Sequence, residues 1–235
     1  MVRSCLLIGV GTAVLTSSSA RPSLQPQQSG TTRRLQAISA VTPEVAWASG
    51  LGGTFVRTTD GGKTWHAGVV PGADSLEFRD VEAVSDRIAY LLAAGEGSAS
   101  RIYKTEDGGS TWSLQFRNSD PKAFFDCFAF WSPRQGLAFS DAVSGRFPLR
   151  LTGDGATWQD VGRRLPPAGE NEGGFAASGT CLVTLGHGRA WIATGNGARP
   201  RVLATSDRGV TWKSYDTPLL GGQGSGGFTI GFGDS

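Results

Sequence analysis

Apolar and polar positions along this chain alternate in short runs, with no stretch that repeats every three to four residues. The run 35–41 (LQAISAV) and the triplet Phe128-Ala129-Phe130 have the period of two expected of half-buried strands. A small residue followed by an aromatic then recurs inside a short apolar run, as Ala46-Trp47, Ala89-Tyr90, Ala138-Phe139 and Ala190-Trp191. Further strands are predicted over 54–57, 101–104 and 201–204, and a fourth kind over 65–70 and 112–117. Four short strands per unit, joined by glycine-rich turns, predict an all-β chain built of repeated four-stranded blades.

The turn between the third and fourth strands of each unit is itself repeated. Thr58-Thr59-Asp60-Gly61-Gly62-Lys63-Thr64-Trp65 returns as Thr105-Glu106-Asp107-Gly108-Gly109-Ser110-Thr111-Trp112 and as Thr205-Ser206-Asp207-Arg208-Gly209-Val210-Thr211-Trp212. A shorter copy, Thr152-Gly153-Asp154-Gly155-Ala156-Thr157-Trp158, brings its aspartate one residue nearer its tryptophan. The aspartates are spaced by 47, 47 and 53 residues, close to the length of a propeller blade. An aspartate here can accept backbone N–H groups a few residues on, glycine permits positive φ, and the tryptophan closes the turn against a neighbouring sheet. Regular repetition is the distribution of a structural element, so Asp60, Asp107, Asp154 and Asp207 are expected to hold turns rather than do catalysis.

This pattern, Ser/Thr-x-Asp-x-Gly-x-Thr-Trp, resembles the Asp-box or BNR repeat of sialidases, xyloglucanases, sortilin-like receptors and the photosystem II stability and assembly factor family. The wording VAWASGLGGTFVRTTDGGKTW is most similar to bacterial relatives of that assembly factor. The resemblance covers 35–235 and implies a β-propeller of four blades plus the start of a fifth. In that reading 226–232 (GGFTIGF) begins a fifth unit and the propeller is truncated with an open edge. The alternative is that 21–34 returns to complete the last blade as a closing strand.

Composition adds an address. Arg3, an apolar stretch over 5–15 and the small residues Ser18-Ser19-Ala20 read as a signal peptide over 1–20, followed by a linker over 21–34. The apolar stretch is too short to span a bilayer and nothing later is longer, so the mature chain is expected to be exported, periplasmic or extracellular, without a membrane span. Cys127 and Cys181 then remain as an even pair that stands 31 residues before Trp158 and Trp212 respectively, a candidate disulfide between related strands. Lysine and arginine number 22 against 20 acidic residues, for a net charge of +2, which argues against a nucleic-acid partner. The 35 glycines are scattered rather than periodic, which excludes collagen and points to turns.

Chemistry is harder to find. His66 and His187 have no partners at ligand spacing, and Gly195-Asn196-Gly197 precedes no helix, so neither metal nor nucleotide cofactor is expected. A sialidase needs a tyrosine nucleophile, yet Tyr90 and Tyr103 lie in strand patterns. The most irregular segments are 140–148 (SDAVSGRFP) and 166–175 (PPAGENEGGF), which open at the same end of their blades. They would bring Asp141, Arg146, Glu170, Asn171 and Glu172 together as a ligand site. The expected role is a non-enzymatic binding or assembly scaffold for a protein or glycan partner; the alternative is a secreted glycoside hydrolase, sialidase-like or xyloglucanase-like.

Overall fold

The computed structural model describes residues 24–177 and 179–232, so the expected signal peptide lies outside the described residues. Four antiparallel sheets of four strands follow one another along the chain, each a simple meander. Blade one holds β1 (Leu35–Ala40), β2 (Ala46–Gly50), β3 (Thr54–Thr58) and β4 (His66–Val69). Blade two holds β5 (Phe78–Ala83), β6 (Ala89–Ala93), β7 (Arg101–Thr105) and β8 (Ser113–Arg117). Blade three holds β9 (Phe125–Ser132), β10 (Gln135–Ser140), β11 (Leu149–Thr152) and β12 (Gln159–Asp160). Blade four holds β13 (Leu182–Leu185), β14 (Arg189–Ala193), β15 (Arg201–Thr205) and β16 (Lys213–Asp216). The only helical turns among the described residues are two three-residue 3-10 segments.

The repeated turn closes each blade's outer hairpin by the same bonds. In blade one the Thr58 hydroxyl donates to Asp60 Oδ1 at 2.9 Å and accepts Gly62 N–H at 2.9 Å. Asp60 in turn accepts the Thr64 N–H at 2.9 Å and the Thr64 hydroxyl at 2.6 Å. Asp107 and Asp207 repeat these bonds. In the shortened copy Asp154 receives the N–H groups of both Ala156 and Thr157, so one missing residue costs the turn no partner. The residue after the aspartate takes a positive φ, 73° at Gly61, 76° at Gly108 and 71° at Gly155, and Arg208 adopts it at 60° without being glycine.

Three apolar cores sit between the blades rather than within them. Trp47, Phe55, Phe78, Val81 and Leu91 fill the junction of blades one and two. Tyr90, Leu92, Phe125, Phe128 and Phe130 fill the next, and Leu137, Phe139, Leu182, Ile192 and Trp212 the third. Each box leans on the blade before it: Gly109 on Phe55, Gly155 on the Tyr90 hydroxyl and Gly209 on Leu137. Cys127 and Cys181, both fully buried, are joined as a disulfide with Cα atoms 6.0 Å apart, tying β9 to the residue ahead of β13.

The register corrects one alignment made from sequence. The box threonines Thr58, Thr105 and Thr205 pair with Ala46, Ala89 and Ala190, whereas Thr152 pairs with Gly136. The counterpart of Trp47, Tyr90 and Trp191 in blade three is therefore Leu137, not Phe139. This substitution removes a polar tip. Trp47 Nε1 and the Tyr90 hydroxyl donate to Ser85 O and Pro133 O of the following blade, which leucine cannot do. Trp131, which the repeat does not account for, supplies the equivalent bond by donating to Arg189 O at 2.7 Å.

The two outer faces are covered by extended chain. The Trp65 indole donates to Gln27 at 2.8 Å, and Gln27 also fills the space over Gly62 that a preceding blade fills in the other boxes. The segment 27–33 thus packs on blade one, against the expectation that 21–34 completes the last blade. The cover is partial: Ile38 is 70% exposed, while Val81, Phe128 and Leu182 at the same register position are 4% or less. Beyond blade four, Gly226 bridges Gly195 as Glu77 bridges Leu51 and Phe124 bridges Glu96 at earlier junctions. Residues 226–232 therefore occupy a first-strand position, with Phe228 stacked on Phe175 and Phe232 edge-on to Trp191, but form no strand ladder.

Candidate functional site

Meander topology puts the box turns at one end of every blade and the β2–β3 type of connection, with the links between blades, at the other. The irregular segments singled out from sequence both fall at this second end. After β10 the chain turns back through Val143 and Arg146, whose N–H and C=O groups bond reciprocally around Ser144 and Gly145, both at positive φ. Asp141 stands at the base of this hairpin and Arg146 at its exposed tip. After β12 the segment 166–175 crosses to blade four, and Glu172 O accepts the Ala142 N–H at 3.1 Å, joining the two connections.

Between them lies a cavity of about 860 Å³, within the range of small-ligand pockets. Asp141, Glu170, Asn171 and Glu172 line it, together with Lys122, Asn196 and Gln223. Four of the five residues expected to converge do so, and Arg146 does not: it lines no part of this cavity and makes no ion pair with Asp141. Arg146 follows the two-residue turn that reverses the chain, and its side chain is exposed. A second cavity of about 590 Å³ lies between the segment 28–33 and β4, but among the described residues Arg33 is the single charged side chain on its wall.

The carboxylates of the larger cavity have different fates. Glu172 is buried and accepts the Gly169 N–H at 2.8 Å, the Thr194 hydroxyl at 2.6 Å and the Arg201 guanidinium. Burial pushes its carboxyl up, but the Arg201 and Thr194 bonds outweigh that and hold it below the usual range. Glu172 therefore serves as the anchor of the wall. Asp141 accepts the Gly174 N–H at 3.0 Å, and burial pushes it up to about 6. Behind it Asp126, on β9, is raised well above its ordinary value by burial and by the neighbouring Asp141 charge. Its Oδ2 accepts no hydrogen bond.

Two more carboxylates, Asp80 and Glu82, stand on β5. Asp80 accepts the Phe128 N–H at 2.9 Å and is driven well up by burial, and burial pushes Glu82 up to about 7. They line a narrower space with Phe128, Phe130 and Thr184. Asp80, Glu82 and Asp126 are residues that loop-directed sequence reading misses, because each sits inside an apolar strand. The legible signal was a carboxylate in the runs FRDVEA and FDCFAF, where the first strands should be uncharged on their packed faces. Lys122, Asn196 and Gln223 carry no such signal.

No protein family matches the chain, and no curated protein matches it. Several solved structures do. YCF48 bound to D1 peptide shares 14% identity over 81% of this chain and 84% of that one, with a TM-score of 0.45. The GH74 xyloglucanase from Xanthomonas campestris shares 16% over 72% of this chain, with a TM-score of 0.50. The structure of U3-55K shares 10% over 80% of this chain, with a TM-score of 0.51. This chain spans 28% of the xyloglucanase and 55% of U3-55K. Likeness at such identity is one of fold, and the fold is an all-β propeller of four-stranded blades.

Proposed function

We propose that the chain is an exported, non-enzymatic scaffold that holds a protein or glycan partner in the cavity between blades three and four. The observation that carries this reading is the construction of the cavity wall. Its two segments belong to different blades: the Ala142 N–H joins them through Glu172 O, and the buried Glu172 side chain, bonded to Arg201, Thr194 and Gly169, fixes the second segment to blade four. A preformed wall keeps the ordering cost of binding low. The box aspartates lie at the opposite end and belong to the turns. The Cys127–Cys181 disulfide supports an oxidising compartment, and no helix among the described residues is long and apolar enough to cross a membrane. Peptide and glycan arrays probed with the native chain and with Glu170→Ala/Asn171→Ala test the reading. Binding that the native chain shows and the variant loses supports it; a variant with an unchanged binding profile overturns it.

One observation favours the second reading, a glycoside hydrolase. Asp141, at about 6, has the raised value of a general acid, and Glu170 lines the same cavity. The sialidase version has no support here, since no tyrosine lines this cavity and Tyr90 and Tyr103 are buried in the inter-blade cores. Turnover of a fluorogenic glycoside panel that disappears in Asp141→Asn would establish the hydrolase and displace the scaffold.

A further inference from the structure

The cavity between blades three and four holds more negative charge than the protein neutralises. Glu172 is committed to Arg201, which leaves Asp141 and Glu170 without an ion pair among the described residues. Lys122 stands on the same wall, yet its ammonium pairs with neither. Behind Asp141, the carboxyl of Asp126 is 2% exposed and its Oδ2 has no hydrogen-bond partner. That oxygen turns toward Gly174, the residue whose N–H serves Asp141, so the two acids press on one another across a single peptide unit. Arg79, the cation that reaches Asp126 from β5, gives its Nε and Nη2 to Glu77 at 3.0 and 2.7 Å. An unpaired, partly buried carboxylate is costly to keep, and a cation from outside that reaches the wall formed by Asp141 and Glu170 would relieve it.

We propose that this cavity receives an arginine or lysine side chain of a protein partner, with its charge placed between Asp141 and Glu170. The proposal rests on the scaffold reading and names its partner chemistry. Carboxylates can take a guanidinium in paired hydrogen bonds, and the side-chain amides of Asn171, Asn196 and Gln223 offer further acceptors on the same wall. The volume accommodates such a side chain with part of its backbone. The chain as a whole carries a net charge of +2, so its overall charge repels cations and any attraction must be local to this wall.

Fluorescence anisotropy of a labelled hexa-arginine peptide, with hexa-glutamate as the opposite-charge probe, tests this on the full chain. The native chain should bind hexa-arginine and not hexa-glutamate. Asp141→Asn/Glu170→Gln should weaken that binding at least about tenfold, while Glu44→Gln/Asp86→Asn, which removes the same charge from exposed turns of other blades, should change it less than about twofold. Should the first double variant fail to fold, Glu170→Lys, at an exposed position, should abolish binding alone. Equal weakening by both double variants, or none by the first, overturns the proposal. If hexa-arginine is not bound while Glu170→Ala/Asn171→Ala still loses a partner found on the arrays, the scaffold reading stands and the cationic ligand is wrong.

Discussion

Glu172 accepts the Arg201 guanidinium at 2.9 Å from Nε and 2.5 Å from Nη2, with only 2% of its own surface exposed. The pair joins the link between blades to β15, and the wall of the cavity depends on it. Removing the cation strands a buried carboxylate. Arg201→Met should therefore cost about 3 kcal/mol in urea denaturation, whereas Glu172→Leu/Arg201→Met should recover most of it by replacing the pair with apolar contact. A double variant as unstable as the single one would show that the bonds of Glu172 to Thr194 and Gly169, rather than the charge pair, carry the wall.

Tryptophans at the same place in the repeat should differ sharply in worth. Trp212 is buried against blade three, and Trp212→Ala should cost about 3 to 5 kcal/mol. Trp65 meets only an extended segment, mainly through one bond to Gln27, and Trp65→Ala should cost about 1 kcal/mol. Denaturation midpoints within experimental error of each other would contradict the role given to the inter-blade cores.

Stability should peak in mildly acidic solution. The box aspartates Asp60, Asp107 and Asp207 are held down to about 2 by their threonine bonds. Their contribution is present above the ordinary carboxylate value and lost as pH falls from about 4 toward 2. Asp141 at about 6 and Glu82 at about 7 act in the opposite sense. The folded chain holds their protons more tightly than the unfolded chain, so stability is lost as pH rises from about 4 through 7. Thermal melting across pH 2 to 8 should give its highest Tm between about 4 and 5. Asp141→Asn should flatten the alkaline limb, and a limb unchanged by it would remove Asp141 from the account.

The disulfide closes a loop of sequence separation 54, so Cys127→Ala/Cys181→Ala should lose about 4 kcal/mol by the chain-entropy estimate. Both cysteines are fully buried, so alkylation of the native protein under mild reductant should be slow and should track unfolding. Fast labelling at neutral pH with no loss of stability would place the bridge outside the folding core.

The strands and turns were legible because their causes are local. Alternation, glycine at positive φ and a carboxylate followed by threonine specify a hairpin without reference to the rest of the chain, so Asp60, Asp107, Asp154 and Asp207 could be assigned to turns from spacing alone. Asp141, Glu170, Asn171 and Glu172 are legible as irregular loop residues at one end of adjacent blades, whereas Arg146, exposed beyond a two-residue turn, lines no part of the cavity. What only the tertiary structure decided is which charges are neutralised. Whether Glu172 meets Arg201, or Asp126 Oδ2 meets no donor, depends on how blade four packs on blade three, and residues far apart in sequence share no local pattern that reveals it. Leu137 in the place of an aromatic, with Trp131 supplying the missing donor, has the same origin: register between strands sets equivalence, and register is a property of the pairing rather than of the run of residues.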